Sequence, residues 1–359
     1  MNLEKTKIMH FGRKRRILEA PKLKFKGAQV EIVKQYTYLG IPFGGKGRKI
    51  LGEAQATVAK KGERASLALQ RRCSELGIGH PHLKLQLFNA VVKPILLYGS
   101  EIWGIGEKIN EIEKVFTTFL RRILGVRRST PTSFLWRETG EMPLRVTILK
   151  QAMKYLARMK ELRSKRILAK VWKECNKQAT NLEGWKFEVM SEVRRITQGI
   201  VEINEEKKLE ITQVMKTMKQ TIWSAWQQEE TSKSKWYNSL KKAEGMEKYL
   251  TSIPNPTLRN CLTRFRLGSH WLEVEKGRWQ GKQREDRTCE TCLKMGRAQV
   301  EDEEHMMKIC PLYEEVRREF ADLEFDRNVE EIVQDNRVSL VARFLTRCEA
   351  IRARNILAV

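Results

Sequence analysis

Apolar and polar positions change rhythm near residue 50. Before that point the pattern is short and alternating. Lys7-Ile8-Met9-His10-Phe11 predicts a first strand ended by Gly12. Leu23–Lys26 and Val30–Val33, separated by Gly27-Ala28-Gln29, predict a hairpin, and Tyr36–Phe43 one further strand closed by Gly44-Gly45. From there the spacing becomes helical. Residues 52–76 place Ala54, Val58, Ala65 and Leu69 on one face and end at Gly77. His82–Lys93 predicts a second helix, ended or kinked by Pro94. Ile109, Ile112, Phe116, Phe119 and Ile123 predict a third over 109–124, closed by Gly125. Residues 143–178 predict one or two more, with Pro143 suited to a first helical position. After a looser stretch at 181–184, a long polar helix is expected over about 205–242, and Pro254 and Pro256 mark a break.

These elements predict an α+β, mostly helical fold: short N-terminal antiparallel strands, a helical bundle, and a small C-terminal unit held by zinc. The expected divisions are 1–48 (strands), 49–180 (helical domain), 181–254 (helical connector) and 255–359 (zinc-binding unit). The length of 359 residues is ample for several such units. No run is long and apolar enough for a membrane span, and the N-terminus has no apolar core of a secretory leader. An intracellular protein, nuclear or cytoplasmic, is therefore expected, with no membrane partner.

Charge narrows the partners. The chain carries 69 Lys and Arg against 44 Asp and Glu, a net +25. Residues 1–200 hold 41 of the bases and 17 of the acids, so the positive field belongs to that part. Such a field attracts polyanions, and RNA or DNA is the expected partner. Three clusters are candidates for phosphate contact: Arg13-Lys14-Arg15-Arg16; Lys46, Arg48 and Lys49 in a Gly-rich loop; and Arg121, Arg122, Arg127 and Arg128 about the end of the third helix. Solvated charge explains any one run alone, and phosphate contacts carry no base preference. The loop Gly44–Lys49 lacks Walker spacing. Trp223, Trp226, Trp236 and Tyr237 read as a packing stripe rather than as base-stacking residues.

The sharpest chemical signal is Cys289-x2-Cys292 followed by His305-x4-Cys310. Three thiolates and an imidazole at this spacing suit a closed tetrahedral Zn2+ site, which leaves no position for a reacting water and is therefore structural. Folding of residues 280–315 should depend on the metal. The remaining cysteines, Cys73, Cys175, Cys261 and Cys348, read as reduced and buried. Catalytic residues are not evident. There is no Asp-Asp pair, and His10, His80, His82 and His270 have no Ser, Cys or carboxylate at nucleophile–base spacing. No small-molecule substrate is indicated.

Several segments carry a family resemblance. Met1–Phe11 and Tyr36-Thr37-Tyr38-Leu39-Gly40 resemble the region downstream of the catalytic hairpin in non-LTR (LINE-type) retrotransposon reverse transcriptases. Val92–Trp103 is similar to their thumb-region signature, and Phe119–Val126 to the following helix. Val300–His305 through Cys310–Tyr313 resembles their C-terminal zinc-binding segment. The resemblance implies a C-terminal part of an RNA-directed DNA polymerase: the end of the palm, a thumb gripping template and primer, and a zinc unit. In that family the metal-binding polymerase carboxylates lie upstream of the segment matched by Asn2–Lys7. This chain is thus expected to be inactive alone, with Mg2+ bound only if the palm is present in a longer product. The alternative is a standalone, element-derived binding or scaffold protein.

Overall fold

The computed structural model describes residues 6–9, 24–25, 27–44, 51–106, 109–161, 166–170, 184–201 and 210–357. It is α+β and mostly helical. Among the described residues, six short strands form three two-stranded sheets. β2 (Lys24–Phe25) and β3 (Ala28–Gln29) pair antiparallel, as do β5 (Gln35–Tyr38) and β6 (Ile41–Gly44). β1 (Lys7–Met9) and β4 (Glu31–Val33) instead run parallel, with Lys7 paired to Glu31. The stretch Tyr36–Phe43 is therefore not one strand but a hairpin. Leu39 and Gly40 both take positive φ (48° and 81°), which is the two-residue turn that matches strand twist.

The chain divides into two compact units, each built from three segments. The first comprises residues 1–70, 87–116 and 143–221. Its core includes Ala54 and Val58 from the Gly52–Glu75 helix and the stacked rings of Phe88 and Phe116 (centroids 5.4 Å apart). A Cβ on Gly62 would lie 2.2 Å from Leu96, so only glycine admits that approach. The second helix differs from expectation. Pro81–Leu87 is α-helical, Phe88–Val92 forms a π turn, and Lys93–Leu96 resumes as α. The π turn sends the Lys93 N–H to Phe88 O. This local rearrangement lets the helix pass through Pro94, whose ring would clash with the carbonyl four residues back. Pro143 stands just before the Leu144–Lys160 helix rather than inside it. Of the expected 143–178 run, 162–165 and 171–178 lie outside the described residues.

Polar groups stitch this unit's helices. Ser100 Oγ donates to Gln151 (2.7 Å), and the Trp185 indole N–H to the Glu101 carbonyl (2.9 Å). Arg145 donates to Gly104 O (2.6 Å), and its backbone N–H donates to Glu113 Oε1 (3.2 Å). Burial pushes the Glu113 carboxyl up to about 7, against the pull of those backbone bonds and the Arg145 charge. A raised carboxylate is most favourable when protonated, so this contribution is complete below about 4.5 and is lost as pH rises through 7. The loss amounts to roughly 3 kcal/mol. Urea unfolding of wild type and Glu113→Gln should therefore diverge between pH 5 and 8, the wild type weakening relative to the variant. Parallel pH curves would refute this.

The second unit comprises residues 71–86, 117–142 and 222–359. The Pro256–Arg266 helix packs along Val338–Leu357, burying Leu262, Phe265, Val341, Phe344 and Leu345. Asn255 caps the former, accepting from the N–H groups of Thr257 (2.9 Å) and Leu258 (3.3 Å). The long helix expected over 205–242 is two, Ile211–Gln227 and Ser232–Leu240, with 205–209 outside the described residues. Thr231 starts the second by accepting from Ser234 N (3.0 Å). Trp226 and Tyr237 are buried packing residues, and the Trp236 N–H donates to Phe265 O (3.2 Å).

At the centre of this unit lies Glu138, fully buried. It accepts from Tyr237 Oη (2.8 Å), Tyr249 Oη (2.8 Å) and Arg266 Nε (2.8 Å). Arg266 also pairs with Glu247 (2.9 Å), which pairs with Lys241 (2.6 Å). Burial raises the Glu138 carboxyl, but the Arg266 charge and hydrogen bond outweigh it and hold the group below the usual carboxylate range.

Candidate metal centre

The metal-ligand candidates come together from two short motifs of the second unit. In the first, a strand-like pairing brings the chain in: Cys289 N–H donates to Gln299 O (2.8 Å), and Glu301 N–H to Arg287 O (2.8 Å). Between these strands a tight turn follows, with the N–H groups of Leu293 and Arg297 reaching Cys289 O and Cys292 O (2.9 Å each). The turn folds the Cys-x2-Cys segment back so that both sulfurs face the same point.

The second motif depends on a π turn over His305–Ile309. In an α-helix, residues five apart lie about 140° round the axis. Here the Cys310 N–H reaches back to His305 O (2.8 Å), five residues earlier, and brings imidazole and thiol to one side. Asp302 anchors the turn, accepting from His305 N–H (3.0 Å), and Arg317 donates to Cys310 O (2.8 Å).

The resulting cluster is Cys289, Cys292, His305 and Cys310, all buried, with ligand atoms within 4.8 Å of one another. Cys289 Sγ lies 3.7 Å from Cys310 Sγ, Cys292 Sγ 4.0 Å from Cys310 Sγ, and Cys292 Sγ 3.5 Å from His305 Nε2. A tetrahedron with metal–sulfur bonds of about 2.3 Å and metal–nitrogen bonds of about 2.0 Å has edges of about 3.8 and 3.5 Å. The four side chains therefore fit a tetrahedral metal ion, and they can hold one. Without it, the Cys310 hydrogen bond pulls the Cys289 thiol down to about 3, while burial pushes Cys292 up. Cys310, donating to Cys289, is pushed up as well.

Three consecutive acids beside the cluster face three different partners. Glu301 receives both arms of Arg352 (2.8 and 2.6 Å) and the N–H of Glu273 (2.8 Å). Asp302 pairs with Arg284 (2.9 Å). Glu303 pairs with His270 Nε2 (2.9 Å), and although burial raises its carboxyl, His270 holds it down. His270 is thus not isolated: its carboxylate lies 33 residues onward, beyond the reach of local spacing. Asp302, three residues before His305, was the readable signal of a capped turn, and Glu301 and Arg317 carried none.

The basic clusters are distributed unevenly. Arg13, Lys14, Arg15 and Arg16, and Lys46, Arg48 and Lys49, lie outside the described residues, as do His10 and Cys175. In the third cluster, Arg122 and Arg128 are exposed, whereas Arg121 and Arg127 are half-buried. Arg121 donates to Thr130 O (3.1 Å). Arg127 stacks on Trp279, its guanidinium carbon 4.3 Å from the ring centroid. Cys73, Cys261 and Cys348 are free and buried. Among the described residues, no helix is long and apolar enough to cross a membrane. Compared with protein-family models, curated proteins and solved structures, the chain matches none.

Proposed function

We propose that this protein is a nucleic-acid-binding part of a reverse transcriptase of the non-LTR retrotransposon type. In this reading a structural Zn2+ sits on Cys289, Cys292, His305 and Cys310. The observation that carries the proposal is the closed four-ligand cluster, within the segment of strongest family resemblance. Four protein ligands leave no open position, so the metal orders the chain and does not activate water. The net charge of +25 supports the binding role, and the protein works inside the cell, in nucleus or cytoplasm, on RNA or DNA. No adjacent pair of aspartates stands in the sequence to clamp Mg2+, so the activity assigned to this chain is binding.

The test is fluorescence anisotropy with labelled RNA and DNA across a salt series. Affinity should fall more than tenfold between about 50 and 200 mM salt, linearly on logarithmic axes, as counterion release requires. Replacing Arg121, Arg122, Arg127 and Arg128 together by Ala should flatten that slope. A salt-independent affinity, or no binding at low salt, refutes the reading.

A further inference from the structure

Trp279 ends the Glu273–Trp279 helix, where the chain turns sharply back, the Lys282 N–H donating to Gly277 O (2.9 Å). Its indole is still 48% exposed, large for an aromatic ring in a folded unit. The exposure is not for lack of order behind it. The Arg127 guanidinium lies over the ring at 4.3 Å, and the Arg127 backbone N–H is held by Ser269 Oγ (3.0 Å). Arg127 also has an unusual electrostatic position. Among the described residues no carboxylate forms an ion pair with it, and its Nη1 is buried without a hydrogen-bond partner. Arg264 opposes its charge, while Glu275 and Glu349 act on it only from beyond ion-pair distance.

We infer that the Trp279–Arg127 stack is a platform for one unpaired nucleobase, which lies on the open indole face while Arg127 attracts the strand's phosphate. An indole backed by a cation offers a base a rigid π surface, and every base has a matching face, so the site is sequence-tolerant. A base in a duplex is covered on both sides by its neighbours and has no face to give. The platform therefore selects single strands over duplexes, which a basic surface alone does not do. In the exposed segment after Trp279, Lys282 carries a positive charge with no ion pair among the described residues, whereas Arg284 is held by Asp302.

This inference rests on the nucleic-acid-binding reading, and the experiment separates the two. Anisotropy titrations across a salt series use labelled oligo(U), oligo(dT) and a blunt RNA hairpin closed by a non-nucleotide ethylene-glycol loop, with wild type, Trp279→Ala and Trp279→Phe. Trp279→Ala should weaken oligomer binding on the order of tenfold and leave the hairpin unchanged. Trp279→Phe, which keeps a stacking face, should recover most of the loss. Because no charge is removed, the salt slope should stay the same. Equal losses for single strands and hairpin, or no loss, overturn the platform while leaving the broader reading standing. Failure of the wild type to bind anything overturns both. Should Trp279→Ala unfold, Trp279→Leu, which keeps apolar bulk without a π face, takes its place: oligomer binding by Trp279→Leu as tight as by Trp279→Phe refutes stacking.

Discussion

Stripping the metal with a strong chelator should dissolve the order of residues 287–310. By amide exchange, protection at Cys289, Arg297 and Cys310 should fall to that of an open loop, and Cys310→Ser should do the same. The expected effect is large. Apparent metal-binding energies of about 10–16 kcal/mol are typical of such sites near neutral pH, comparable to the whole stability of a domain. The reason is visible in the packing. Three thiols and an imidazole crowd within 4.8 Å in a buried space, a grouping that a shared cation would make favourable. Ligation displaces their protons, so the stabilisation weakens as pH falls. Metal analysis should give one zinc per chain. Protection that survives complete chelation would remove the metal from the account.

Glu138→Ala should lower the stability of the second unit by about 3–5 kcal/mol, because it leaves the buried Arg266 cation without its main partner. Glu247 remains at 2.9 Å from Arg266 but is partly exposed and already shared with Lys241. Tyr237 and Tyr249 lose their common acceptor too, which adds to the loss. A glutamine at the position keeps the shape and one acceptor oxygen, so Glu138→Gln should lose less. Urea midpoints measure both, and a loss under about 1 kcal/mol for alanine would show that the unit does not depend on this network. The pH sign is opposite to that of Glu113. The depressed Glu138 carboxyl contributes at neutral pH and withdraws its contribution only when acid takes the pH below the usual carboxylate range.

Local pattern made some of this legible and hid the rest for identifiable reasons. The stripe Ile109, Ile112, Phe116, Phe119, Ile123 is buried throughout, because an amphipathic helix repeats regularly enough to be read. The Leu39-Gly40 turn was hidden inside an apolar run, since left-handed leucine breaks no hydrophobic pattern. The split at Thr231 turns on one hydroxyl capping a helix, a single-atom event that periodicity averages away. In the candidate metal centre, spacing alone picked out the four side chains that the fold brings together. What spacing could not supply was their support, because Glu301 finds Arg352 51 residues away and His270 finds Glu303 33 away. The Glu138 network is the extreme case. Its partners come from three separate elements, about a hundred residues distant, and each is unremarkable alone.

The π turn between His305 and Cys310 bears on how this site varies among genes. A π turn is an α-helical turn holding one surplus residue, and four-residue spacing on an ordinary helix also places two side chains on one face. Deleting the exposed Ile309, which leaves the buried Met306 and Met307 in place, would therefore convert His-x4-Cys to His-x3-Cys and relax the turn to α, with the two side chains still adjacent. The spacing is then a register that can shift by one residue while the four side chains still meet. A search that fixes the gap at four would pass over such descendants, although they would build the same centre.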